Sequence, residues 1–143
     1  MKKQLIFSLL FVFTGFYASQ AQTAIGKWKT IDDETGKAKS VVEIYESNGK
    51  IYGKVVEILD KSKENKVCEA CEGAKKDKPI KGMVILEGLS KKGSSWEGGT
   101  ILDPTSGKVY KCTISLENKD KLKLRGYVGI SLLGRTQYWE RSK

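Results

Sequence analysis

The sequence of 143 residues contains no histidine. The imidazole side chain is the commonest general base, the commonest metal ligand and the usual partner of a nucleophilic serine or cysteine. A covalent c-type haem is also excluded, because Cys68-Glu69-Ala70-Cys71 is followed by Glu72 instead of histidine. The composition therefore predicts a protein that is not an enzyme and that holds no metal and no cofactor.

Long hydrophobic runs are also scarce. The apolar run from Leu5 to Tyr17 is shorter than the roughly 20 residues of a membrane-spanning helix, and no second such run follows. Lys2 and Lys3 precede this run and Ser19-Gln20-Ala21 follows it, which is the layout of a secretory signal peptide cleaved after Ala21. No cysteine lies near the cleavage site, so a lipoprotein anchor is not expected. Residues 1–21 are thus predicted to be a signal peptide, and the mature chain a periplasmic or secreted protein without a transmembrane segment.

Acidic residues are outnumbered, with 17 against 26 lysines and arginines and a net charge of +9. Loss of Lys2 and Lys3 leaves about +7 on residues 22–143, a length typical of one domain. The lysines are spread among acidic residues, so most of this charge is expected to be solvated surface. A surface for anionic envelope polymers or lipids is the alternative, and nucleic acid is not an expected partner.

The mature chain lacks an amphipathic helical pattern and shows eight β-prone runs separated by compact turns, a spacing typical of an antiparallel sandwich or barrel. A sheet of consecutive hairpins avoids free edge strands if it closes, so the pattern favours an all-β, closed, roughly eight-stranded up-and-down barrel. The interior of such a barrel has room for side chains or one small ligand. An open sandwich with helical additions is the alternative. The predicted strands are Ile25–Ile31, Lys39–Glu46, Ile51–Leu59, Gly82–Leu89, Ser95–Leu102, Val109–Leu116, Lys121–Val128 and about Arg135–Arg141.

Several turn signals accompany these strands. Asn48-Gly49 predicts a tight hairpin, and Gly98-Gly99 a bulge or sharp bend. Residues 90–94 are predicted to form a turn, and Asp32, Asp33 and Glu34 are interpreted as turn carboxylates. The polar stretch from Asp60 to Lys81 contains no predicted strand.

Cys68-x-x-Cys71 permits three interpretations. In a chain that leaves the cytoplasm, a structural disulfide across the polar loop is favoured. A redox pair normally sits at a helix N-terminus, and a metal site would need further ligands, so these two remain weaker alternatives, as do free thiols. Cys112 alternates with Tyr110 and Ile114 on the predicted inner face, which indicates a small buried hydrophobe.

Trp28 in the first strand and Arg141 in the last become neighbours if the barrel closes. The arginine is then expected to lie across the indole and close the barrel floor, a contact of ~0.5–2 kcal/mol. The alternative is that Trp28 lines a ligand cavity.

A polar and aromatic set near the C-terminus supplies further ligand-binding candidates. Arginine beside tyrosine can bind a carboxylate or phosphate, or it can pair with Asp103 as a contact that holds the fold. With Trp28, the candidates are Tyr110, Arg125, Tyr127, Arg135 and Tyr138.

The chain resembles the domain of unknown function 2147 family of small exported bacterial proteins. The resemblance covers essentially the whole mature region and implies an eight-stranded, lipocalin-like (calycin-type) barrel with no established activity or catalytic residues. It is carried by Gly26-x-Trp28, the Asp32–Gly36 turn, Gly49–Lys54, the Cys68-x-x-Cys71 loop leading to Gly82, Trp96–Gly99, Ile101–Pro104, Gly107–Tyr110, Leu124–Tyr127, Gly134–Thr136 and Trp139-x-Arg141.

The sequence therefore predicts an exported, non-enzymatic barrel that binds a small apolar or amphipathic molecule. The first alternative is surface binding of anionic envelope polymers or lipids through the lysines of the polar loop: Lys61, Lys63, Lys66, Lys75, Lys76 and Lys78. The second is a thiol oxidoreductase that uses Cys68 and Cys71.

Overall fold

The computed structural model describes residues 23–130 and 134–143. The predicted signal peptide and residues 131–133 lie outside this part of the chain. Eight antiparallel strands follow one another around a closed barrel in which β8 pairs with β1. This arrangement confirms the predicted fold class. The strands are β1 (Gly26–Ile31), β2 (Ala38–Ser47), β3 (Lys50–Ile58), β4 (Val84–Lys92), β5 (Ser95–Leu102), β6 (Val109–Asn118), β7 (Lys121–Tyr127) and β8 (Gly134–Arg141).

Two of the predicted irregularities are present. Asn48 and Gly49 both have positive φ, 52° and 77°, as a two-residue hairpin turn of the right twist requires. The register of β5 against β6 shifts between Trp96 and Gly99, which confirms the bulge. The predicted turn at residues 90–94 is wrong in extent, because β4 continues to Lys92 and Gly93 supplies the positive φ of 61° that a tighter turn needs.

The barrel has two unlike ends. The end that holds the β2–β3, β4–β5 and β6–β7 turns is called the closed end below, because Arg141 bridges it from the chain before β1 to the β6–β7 turn. Between the two ends, inward positions hold fully buried large residues, each below 2% exposure: Trp28, Val42, Ile44, Val55, Leu86, Leu89, Ile114, Leu122 and Trp139. The opposite end, called the open end, holds the connections β1–β2, β3–β4, β5–β6 and β7–β8.

The polar stretch between β3 and β4 folds back onto the barrel wall. It contains two single-turn 3-10 helices, Lys61–Lys63 and Gly73–Lys75. Strand alternation places Ile85 and Leu102 on the outer face, yet they are only 6% and 5% exposed. The loop covers this part of the wall, because Cys68 Sγ lies 3.2 Å from the Pro104 carbonyl oxygen in the turn after β5.

Candidate functional site

The inward-facing side chains at the open end are partly exposed, unlike those deeper in the barrel. Thr30 and Ser40 are register partners, and their hydroxyl groups are hydrogen-bonded at 2.7 Å. Ile101 and Tyr110 are also partners, on the opposite wall. All four share the inward face with buried residues of the same strands but retain solvent-accessible surface. These four residues, at the solvent-accessible end of the barrel, define what is called the mouth below.

A polar network crosses one side of the mouth. The indole nitrogen of Trp139 donates to Gln137 Oε1 at 3.4 Å, and Gln137 Nε2 lies 3.5 Å from Asp33 Oδ2. The same carboxylate oxygen accepts from Arg135 Nε at 2.6 Å and from Arg135 Nη2. The Arg135 side chain is 68% exposed, so this ion pair sits in water at the rim. It contributes little to stability, and an anionic ligand group can compete for it.

Asp33 and Gln137 are components of this network that sequence reasoning did not assign to a site. Asp32, the neighbour of Asp33, behaves as a turn carboxylate, because Oδ1 accepts from the amides of Glu34 and Thr35 at 2.8 and 3.0 Å. Those backbone hydrogen bonds lower the pKa of Asp32. Asp33 reaches Arg135 across 102 residues of chain, and nothing in the local turn signal distinguishes the two carboxylates.

The ligand-binding candidates do not form one site. Tyr110 and Arg135 face the mouth, whereas Arg125, Tyr127 and Tyr138 alternate with the buried residues of β7 and β8 and lie on the outer face. Arg125 Nη1 donates to Thr136 Oγ1 at 3.0 Å on that face. The ligand-binding role of these residues stays a prediction.

Trp28 is packed at the closed end, away from the mouth. It is fully buried, and its indole nitrogen donates to the Ala24 carbonyl at 2.9 Å. The Arg141 guanidinium carbon lies 4.2 Å from the centre of the Trp28 ring. Arg141 also donates to the carbonyl oxygens of Thr23, Ile25 and Lys119, so it joins the chain before β1 to the β6–β7 turn.

The Asp103 carboxylate is held within its own turn. Oδ1 accepts from the Thr105 amide at 2.9 Å, and Oδ2 from the Ser106 hydroxyl at 3.0 Å. Arg135, for its part, pairs with Asp33. The interpretation of Asp103 as the partner of a C-terminal arginine is therefore wrong for Arg135.

Cys68 and Cys71 form a disulfide, as predicted, and are 0% and 3% exposed. A substrate thiolate cannot reach sulfur atoms buried to this degree, which favours a structural role over the redox alternative. Burial raises the pKa of the Cys112 thiol to about 12, so this group stays protonated at neutral pH. Within the described residues, no group of three or more acidic or cysteine side chains is arranged to hold a metal ion.

Three of the six lysines named for the polar loop form ion pairs with described residues. Lys63 pairs with Asp60, Lys75 with Glu87 and Lys76 with Asp77. A surface groove of about 400 Å³ runs beside the loop and is lined by Lys75, Lys78, Pro79, Lys81, Gly82, Met83 and Val84. A second hollow, of about 260 Å³, lies at the closed end against Trp96.

A closed eight-stranded up-and-down antiparallel barrel is the architecture of a lipocalin-like protein. In agreement, the fold is similar to that of a solved structure from the human pathogen Helicobacter pylori, protein HP1028, which is described as belonging to the lipocalin family. The TM-score is 0.75 and the identity 25%, with 85% of this chain and 84% of that chain covered.

The chain belongs to the DUF2147 family, described as uncharacterized proteins conserved in bacteria, whose model matches residues 26–141. This confirms the predicted family. No curated protein matches the chain. In the part of the chain that the structure describes, no helix has the length and apolar character needed to cross a membrane.

Proposed function

We propose that the protein is an exported, non-enzymatic binding protein that takes a small apolar or amphipathic molecule into the mouth of the barrel. The observation that carries this proposal is the difference between the middle of the barrel and its open end. Inward-facing residues are fully buried in the middle of the barrel and partly exposed at the open end. Because closed eight-stranded barrels hold small ligands at or inside one end, the partly exposed inward side chains support a binding site at the open end.

The chemistry of the mouth fits an amphipathic ligand with an anionic or polar head. Ile101 and the ring of Tyr110 offer apolar surface, whereas Thr30, Ser40 and Gln137 offer hydrogen-bonding groups. Arg135 stands at the rim, where it can exchange Asp33 for a ligand carboxylate. Because Trp28 and Trp139 fill the barrel below, the ligand must be small or must leave part of its length outside.

Gly126 provides a direct test of this site. It faces inward at the mouth, and a Cβ atom there would meet Tyr110 Cβ at 3.5 Å and Ile101 Cγ2 at 3.7 Å, which are ordinary contacts. Gly126→Leu keeps the backbone and fills the mouth, so we expect about tenfold weaker binding of a dansyl-labelled fatty acid, measured by fluorescence titration.

Thr100→Leu is the matched control, because Thr100 lies on the outer face of β5, two strands from Gly126, and pairs with Lys111 on β6. This variant should bind like the unmodified protein, and near-ultraviolet circular dichroism should show both variants folded. An equal loss in the two variants, or the absence of saturable binding in the unmodified protein, would refute the proposal.

A further inference from the structure

The outer face of β6, β7 and β8 gathers cations that the sequence leaves dispersed. The outward positions of β7 are Lys121, Lys123, Arg125 and Tyr127, and the register places Lys111 beside Tyr127. Three successive outward residues of one strand are thus cationic, about 7 Å apart. We define the cationic face as Lys111, Lys121, Lys123 and Arg125 together with Tyr127 and Tyr138.

The lysines of this face lack close ion-pair partners among the described residues. Within residues 23–130 and 134–143, salt bridges involve six other lysines and two arginines but not Lys111, Lys121 or Lys123. Glu140 is the register partner of Lys121 but forms no salt bridge with it. Lys121 instead lies 4.7 Å from the centre of the Tyr138 ring. Like charges about 7 Å apart on one strand repel one another weakly in water, so this face favours a bound anion.

The remaining side chains of the face indicate the kind of anion. Thr113, Ser115 and Thr136 place hydroxyl groups between the cations, and Tyr138 is 43% exposed. Hydroxyls hydrogen-bond to sugar oxygens, and the negative face of an aromatic ring attracts the C–H groups of a sugar ring. The exposed aliphatic residues Val109, Val128 and Ile130 lie beyond Lys111 and Tyr127, at the open-end border of the face and not between its cations.

We propose that the cationic face binds a linear anionic polysaccharide, with the polymer running along β7. Such a site is separate from the mouth, because its residues point away from the barrel interior. It also differs from the loop-lysine alternative, because its cations lie on β6 and β7 and not in the polar loop. The face is built by strand register, so the positions of its charges are fixed by the fold.

The test compares two charge-matched double variants of the mature chain. Lys111→Gln/Lys123→Gln removes two charges from the cationic face, and Lys61→Gln/Lys66→Gln removes two from the loop. With fluorescent dextran sulfate as the probe in fluorescence anisotropy, we expect the first variant to bind about tenfold more weakly and the second to change less than about twofold.

Binding should also weaken strongly between about 0.05 M and about 0.5 M salt, because exposed charges are screened. Alginate, a polyuronate, should compete, which separates a general anionic-polysaccharide site from one specific for sulfate. Equal losses in the two double variants, equal binding to neutral dextran, or binding to phosphatidylglycerol vesicles but not to dextran sulfate would overturn the proposal.

Discussion

Trp28→Ala should lower the free energy of unfolding by about 3–5 kcal/mol, the range typical of a large buried aromatic side chain. Trp28 is fully buried, donates to the Ala24 carbonyl and lies under the Arg141 guanidinium. Truncation would leave a cavity at the closed end and would remove the indole ring that the Arg141 guanidinium contacts. Chemical denaturation followed by circular dichroism measures the change.

The matched control is Tyr138→Ala, which removes an aromatic ring from the outer face, where Tyr138 is 43% exposed. We expect a loss below about 1 kcal/mol from this variant, since little buried surface and no buried hydrogen bond is removed. Similar losses from the two variants would contradict the assignment of the closed end as the packed half of the barrel.

Gly107→Ala should destabilise the protein by about 2–4 kcal/mol, because it combines backbone strain with a steric overlap. Gly107 has a φ of 72°, and a Cβ atom at this position would overlap the carbonyl group of Ala70 in the disulfide loop. If the loop moves off the barrel wall to relieve this overlap, Ile85 and Leu102 become exposed.

Gly36 offers an unusually close control, because the two glycines occupy equivalent turns. Gly36 donates to the Asp32 carbonyl at 2.8 Å, and Gly107 donates to the Asp103 carbonyl at the same distance. The φ of Gly36 is 69°, but nothing lies within 4 Å of a Cβ atom there.

Gly36→Ala should therefore lower the free energy of unfolding by about 1 kcal/mol, the cost of the backbone strain alone. The difference between the two variants isolates the contact between the disulfide loop and the β5–β6 turn. Hydrogen exchange at the Cys68 amide, which donates to Lys78, should become faster only in Gly107→Ala. Equal unfolding free energies for the two variants would show that the disulfide loop does not pack against the β5–β6 turn.

The strands and hairpins were predictable because their signals are local. Alternation in β6 and β7, the Asn48-Gly49 pair and the Gly98-Gly99 pair each specify structure within a few residues. The placement of the disulfide loop was not predictable in this way. It depends on two apolar residues at outward positions, Ile85 and Leu102, which the sequence presents as ordinary strand residues.

The candidate site was less predictable than the fold, since it depends on register across distant strands. Tyr110 was placed correctly on the inner face by its alternation with Cys112 and Ile114. By contrast, Arg125 and Arg135 have similar sequence surroundings but lie on opposite faces of the sheet. Arg125 on β7 pairs with Thr136 on β8, which points outward, whereas Arg135 is the residue before Thr136 and points inward. Neighbouring residues of a strand point to opposite faces, so the register of β7 against β8 decides the face of each arginine.

The central claim, that a small molecule enters the barrel at the mouth, is tested most directly by mapping a bound probe. Uniformly ¹⁵N-labelled mature protein titrated with lauric acid should show saturable amide shifts at Thr30, Tyr110, Gly126 and Gln137. The amides of Trp28 and Leu122, deep in the packed half, should move little. Saturable shifts confined to the closed end or to the outer face, or no saturable shifts with lauric acid or its alcohol analogue, would contradict the account.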